Sequence, residues 1–160
     1  MSFINRINNL SLILNLVIAV GICLAINALV FGLGWDVSDT PTHEVTFAPP
    51  GWLVGAVWVF LFALIGISRG VLNKFGEKSK SAKKWLIVLL LFCFAYPIYT
   101  LGLSSEIMGL IGNLGVIALT IFIISQTWKL SKLASFLIMP IILWVSFATV
   151  IILAEIGWIF

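Results

Sequence analysis

TFAPPGWLVGAVWVFLFALIGISRGVL, residues 46–72, opens on two prolines and then runs for more than twenty residues with Arg69 as its only charge. A bilayer crossing needs about 20 apolar residues in a helix. Pro50 suits a first helical position, where a missing N–H costs little. The run therefore predicts a membrane helix over 50–72, entered through a stiff proline pair. Gly51 and Gly55, like Gly66 and Gly70, stand four apart, a spacing that lets a second helix approach closely. That second helix belongs to the same chain or to another copy.

The rest of the chain repeats this pattern. It has 160 residues, 62% of them hydrophobic and 9% charged, against about 25% charged in soluble domains. Further apolar runs cover about 10–31, 85–103, 107–127 and 133–158. Backbone polar groups in lipid must be satisfied internally, and runs of this length do so as helices. The expectation is an all-α integral membrane protein, a bundle of five transmembrane helices forming a single domain over 1–160, with a longer loop over 32–49. The first run is too long for a signal-peptide core and is read as an uncleaved helix.

Five crossings put all nine Lys and Arg on one side. Arg6 lies before the first helix, Arg69 to Lys84 around the second connection, and Lys129 and Lys132 around the fourth. Asp36, Asp39, Glu44, Glu106 and Glu155 fall on the other side. The positive-inside rule then places the N-terminus in the cytoplasm and the C-terminus outside. The bacterial cytoplasmic membrane fits this pattern. The basic loop reads as a topogenic element near anionic headgroups, with no nucleic acid as partner.

Tryptophan favours the membrane–water interface. Trp35, Trp85, Trp128 and Trp158 take such places at helix ends. Trp52, Trp58 and Trp144 lie within the spans, where an indole N–H needs a partner or a cavity. Asn27, Tyr96, Tyr99, Thr100, Asn113, Ser146 and Thr149 fall at the same outer depth. An aromatic, sparsely polar pocket follows as one reading, and interhelical hydrogen bonding as the other. Trp52 and Trp58 differ by about 120° around a helix, so one of them is expected to line a ligand site and the other to pack. Trp52, nearer the mouth, is the expected ligand contact and Trp58 the packing residue.

Chemistry has little visible machinery. Cys23 and Cys93 lie inside spans without metal spacing, His43 is the single histidine, and no nucleophile–base set or phosphate loop is present. Neither a metal nor a required cofactor is expected, and enzyme activity is left open, with no conventional catalytic constellation. No charge sits at mid-span, as coupled transport usually needs.

Two motifs resemble the translocator protein family, also known as the tryptophan-rich sensory protein or peripheral benzodiazepine receptor family (TspO/MBR). FAPPGWLVGAVW is similar to its P-P-x-W-[VL]-F-G-P-V-W signature: Pro49, Pro50, Trp52, Gly55, Val57 and Trp58 match, and Ala56 replaces a proline. WKLSKLASFLIMPIILWVSFAT, from Trp128, is similar to its fourth-to-fifth helix segment. The resemblance covers the chain from Phe47 onward. It implies a five-helix bundle, often a homodimer, with a pocket near the first loop for porphyrins, benzodiazepine-like compounds or sterols. Trp52, Trp144 and Ala148 fall on its pocket positions. The third helix departs: where the family carries an Asn and a Trp, CFAYPIYTLG has Cys93 and Tyr96, and Ile152 replaces a further Asn. Tyr96, Tyr99 and Asn113 are the expected hydrogen-bonding contacts.

The resulting expectation is a membrane receptor-like protein that binds a hydrophobic small molecule, a flat tetrapyrrole such as protoporphyrin IX or a haem-like ring. The alternatives are light- or oxygen-dependent porphyrin degradation and small-molecule transport.

Overall fold

The computed structural model describes residues 9–35, 45–102 and 105–159. Arg6 and the loop residues Asp36, Asp39, His43 and Glu44 lie outside the described residues, as does the side chain of Tyr99. Among the described residues the chain is all-helical, without strands. The elements are α1 (Asn9–Gly32), α2 (Gly51–Leu72), a 3-10 segment (Asn73–Ser79), α3 (Lys80–Tyr99), α4 (Glu106–Trp128) and α5 (Lys132–Glu155).

Four helical runs are long and apolar enough to cross a membrane: Asn9–Gly32, Gly51–Ile98, Glu106–Trp128 and Lys132–Glu155. Their outward faces carry Leu10, Val17, Phe60, Leu91, Ile111, Phe136 and Leu143, all exposed. Such a surface requires lipid, and the chain is an integral, multi-pass membrane protein. The second run holds 48 residues, about 72 Å if straight at 1.5 Å per residue. It is not straight. Gly76 sits at φ 54, ψ −131, outside the helical region, where a Cβ would be strained. Buried Ser79 closes this turn, its hydroxyl donating to the carbonyls of Leu72 (2.8 Å) and Gly76 (2.9 Å). The chain folds back there, and α2 packs against α3.

Packing runs from α1 to α2, α2 to α5, α5 to α4, α4 to α3 and α3 back to α1. The ring encloses Leu61, Phe62, Ile65, Leu86, Leu89, Ile123, Ile138 and Ile141. Ser105 and Ser131 cap α4 and α5, accepting from the amides of Met108 and Ala134, and so satisfy donors that a helix start leaves open. Pro50 is the N-cap of α2, extended at ψ 149, so the helix begins at Gly51, one residue later than expected. α3 starts at Lys80, before its expected start at 85, and α5 ends at Glu155, short of 158. Charged residues deter a hydropathy reading at the first of these ends, while the positive φ of Gly157 follows the second.

The Gly66 and Gly70 pair is used within the chain. A methyl on Gly66 would sit 2.7 Å from the Asn15 carbonyl oxygen, and one on Gly70 would sit 3.0 Å from Leu12 Cα. α1 and α2 therefore touch backbone to backbone. On the other side of the bundle, a methyl on Gly115 would meet the Phe92 ring at 2.9 Å. Hydrogen bonds tie further pairs together: Ser68 Oγ donates to the Ala134 carbonyl at 2.8 Å, and the hydroxyls of Thr127 and Ser135 meet at 2.7 Å.

Gly66→Ala is expected to destabilise the bundle by about 1–3 kcal/mol, the cost of overpacking. Gly21→Ala, with nothing within 4 Å, should be neutral or stabilising by up to about 1 kcal/mol. Thermal unfolding in detergent compares them directly. A double-mutant cycle with Thr127→Val and Ser135→Ala should show coupling of about 0.6 kcal/mol, the average for hydrogen bonds between membrane helices, and no more than about 1.7 kcal/mol.

Candidate functional site

Opposite the basic end of the bundle, α1, α2 and α3 separate around a cavity of about 330 Å³. Its aromatic wall is Phe31, Trp35, Trp58 and Tyr96, with Pro49 at the α2 entrance and Pro97 on α3. Gly51 and Gly55 line it from α2 as open backbone. Asn27 and Glu155 are its polar members from α1 and the end of α5.

Local rules explain these positions. Trp58 follows Gly55 by three residues, so both lie on one face of α2. The Trp58 ring meets Phe62 edge-on, with centroids 6.1 Å apart, and lies tilted beside Tyr96 at 6.5 Å. Those separations suit aromatic pairs. Asn27 donates its amide N–H to the Gly55 carbonyl at 3.2 Å. A Cβ on Gly55 would stand 3.3 Å from that nitrogen, so the missing side chain is what admits the bond. Trp35 lies over Gly102, where a Cβ would meet its ring at 3.0 Å.

Two smaller spaces adjoin the cavity. A void of about 20 Å³ is lined by Cys23, Phe62 and Cys93 and shares Asn27, Trp58, Tyr96 and Pro97 with it. A recess of about 130 Å³ lies between the ends of α3, α4 and α5, lined by Thr100, Ser105, Glu106, Gly109 and Ile152, and shares Tyr96, Leu101 and Glu155. Tyr96 therefore borders all three. Its hydroxyl reaches toward α4, 3.4 Å from where a Cβ on Gly109 would sit.

Of the residues expected from the sequence, the structure brings Trp58 and Tyr96 together on the cavity. Trp52 projects outward and is 68% exposed. Trp144, beside Phe147 at 5.8 Å, Ala148 and Asn113 are on α4 and α5 and do not line it. Asn113 is 2% exposed, and its Nδ2 and the Trp144 Nε1 are buried without an acceptor. The hydroxyls of Thr100 and Thr149 are spent on the carbonyls of Tyr96 and Val145 in their own helices. The sequence reading passed over Trp35 and Glu155 as lining residues. Trp35 has the signature of an interfacial anchor, and only its partner Gly102, far along the chain, reveals the second role.

The site can hold an apolar, flat group against indole and phenol faces, with the Asn27 carboxamide and the Glu155 carboxylate among its lining groups. Among the described residues no cluster of three metal-ligating side chains occurs.

Comparison with known proteins identifies the family. Residues 19–159 match the TspO/MBR family, so the likeness begins within α1, earlier than the motifs alone indicated. The tryptophan-rich protein TspO of Bacillus cereus is 30% identical over 110 residues, 67% of this chain and 71% of that protein. The TspO of Chlorobaculum tepidum is 27% identical over 150 residues, 86% of this chain and 90% of that protein. The TspO of Archaeoglobus fulgidus is 32% identical over 105 residues, 64% of this chain and 67% of that protein. With its tryptophan-lined helical bundle and a family match across most of its length, the chain belongs to the TspO/MBR family.

Proposed function

We propose that this protein is a receptor-like membrane sensor whose ligand is a flat, largely apolar molecule held in the cavity between α1, α2 and α3. The observation that carries this reading is the Trp58–Tyr96 pair, at 6.5 Å, on a cavity of about 330 Å³ that Phe31 and Trp35 also line. Ligand sites of about 300–1,000 Å³ with aromatic walls and few polar groups are the usual form. The family match supports a membrane sensory or binding protein in general. A tetrapyrrole such as protoporphyrin IX is the ligand class we assign. The cavity is at the small end of the range, so a macrocycle would insert one edge against Trp58 and Tyr96 and leave the remainder toward the mouth at Pro49 and Gly51.

In this reading α2 and α3 cross the bilayer separately, giving five crossings. A straight 48-residue run would exceed twice the roughly 30 Å hydrocarbon core, and the turn at Gly76 returns the chain. Lys74, Lys78, Lys80, Lys83 and Lys84 then lie at the end shared with Lys129 and Lys132, which the positive-inside rule puts in the cytoplasm of a bacterial cell. The cavity opens outside. A second location, around Trp144, Ala148 and Asn113 with Trp52, is favoured by the two buried donors that lack acceptors.

Porphyrin binding followed by the shift of its Soret band separates the two locations without relying on tryptophan emission. Trp58→Ala should weaken protoporphyrin IX about tenfold, equivalent to about 1.4 kcal/mol for a lost aromatic contact. The Trp52→Phe, Trp144→Phe double variant should bind within about twofold of the parent. The reverse pattern would move the site to Trp144. Absence of a saturable shift in the parent protein would remove the tetrapyrrole assignment.

A further inference from the structure

The end of the bundle away from the cavity carries a polar cluster that ligand binding there does not use. Arg69, one turn before the end of α2, donates to Asn15 Oδ1 of α1. Asn15 in turn donates to the Ser11 carbonyl at 2.6 Å. Asn73, just beyond α2, donates to Ser11 Oγ at 2.6 Å, and Lys83 of α3 donates to Asn73 Oδ1 at 3.4 Å. Three helix ends thus meet through five side chains, two of them cationic.

What this cluster lacks is negative charge. Every acceptor in it is a neutral amide, hydroxyl or carbonyl. Among the described residues the ion pair at this end is Lys80–Glu77, both exposed and one turn apart, and it leaves Arg69 and Lys83 uncompensated. Arg69 Nε is buried without an acceptor, so the guanidinium is under-satisfied as well as unpaired. An ionised side chain within a membrane span is costly unless a partner is supplied. Burial of the aliphatic stem with the charge held at the headgroup level reduces that cost but provides no acceptor for the fork. A guanidinium matches a phosphate through paired N–H donors, and basic pockets between membrane helices hold lipid headgroups.

We propose that Arg69 and Lys83, framed by Ser11, Asn15 and Asn73, form a binding site for the phosphate of an anionic phospholipid in the leaflet at the basic end. The lipid phosphate would meet the terminal guanidinium N–H groups of Arg69 and the Lys83 ammonium. Its chains would lie along the exposed apolar face of α1 near Leu10, Ile13 and Leu14. The site would join α1 to the start of α3.

The test uses the full chain in detergent with phosphatidylglycerol or phosphatidylcholine added at equal concentration, and native mass spectrometry to count retained lipid. Phosphatidylglycerol should be retained about fivefold or more over phosphatidylcholine. Lys83→Gln should lower that ratio about fivefold, the worth of one basic residue near a charged headgroup. Arg69→Gln should lower it at least as much. Lys78→Gln, at an exposed position on the turn, should leave it unchanged, and circular dichroism confirms that each variant is helical. Should Arg69→Gln fail to fold, Lys83→Gln alone decides. Equal retention of the two lipids, or undiminished retention in Lys83→Gln, would overturn the proposal. Inorganic phosphate at millimolar concentration should neither displace the lipid nor raise the melting temperature. If it does both, the occupant is a free anion and the lipid assignment fails.

Discussion

α1 and α2 meet at backbone contact through Gly66 and Gly70, and much of the molecule follows from that approach. With a carbonyl oxygen 2.7 Å from the place a Cβ would occupy on Gly66, no side chain can separate the two helices there. Lipid offers no hydrophobic drive between helices, so close van der Waals packing has to hold them. At the far end Asn27 reaches the Gly55 carbonyl by the same device, a missing Cβ. The pair is thereby clamped at both ends, and α3 can lean away from it without loosening it.

The two ends of this clamp then acquire opposite chemistry. Where α1, α2 and α3 separate, the surface is aromatic, and the polar groups are few. Where the same three helices close, the surface is cationic, with amides and hydroxyls around Arg69 and Lys83. A bilayer imposes this division: uncharged aromatic walls are tolerated at depth, whereas a guanidinium must stay at the headgroup level. The turn at Gly76 and Ser79 makes both possible, because it returns α3 to α1 and α2 instead of continuing a single rod.

How far the site could be read from residues depends on the kind of information each carries. Trp58 and Tyr96 were recognisable as unusual, since an indole and a phenol inside apolar runs need partners. The angle between Trp52 and Trp58 sets them on different faces; the expectation made Trp52 the ligand contact and Trp58 the packing residue, whereas the structure puts Trp52 outward and Trp58 on the cavity. Which of two faces turns inward was not legible in α2 alone. The structure settles it by packing α1 onto Gly55, Gly66 and Gly70, which commits that side of α2 to α1. Trp35 resembles an ordinary interface anchor until Gly102 is brought beneath it.

The sequence by itself determined that the chain is helical, lies in a membrane, and belongs with tryptophan-rich relatives. Length, hydropathy and charge are properties of single segments, and lipid enforces them without reference to neighbours. Only the tertiary structure decided that Gly55, Gly66 and Gly70 serve the contact of α1 and α2 in one chain, that Trp58 and Tyr96 share a cavity, and that Arg69 and Lys83 gather around Asn15 and Asn73. Each of those outcomes depends on the ring order α1, α2, α5, α4, α3. No segment encodes that order alone, because it is set by which close contacts can form at the same time.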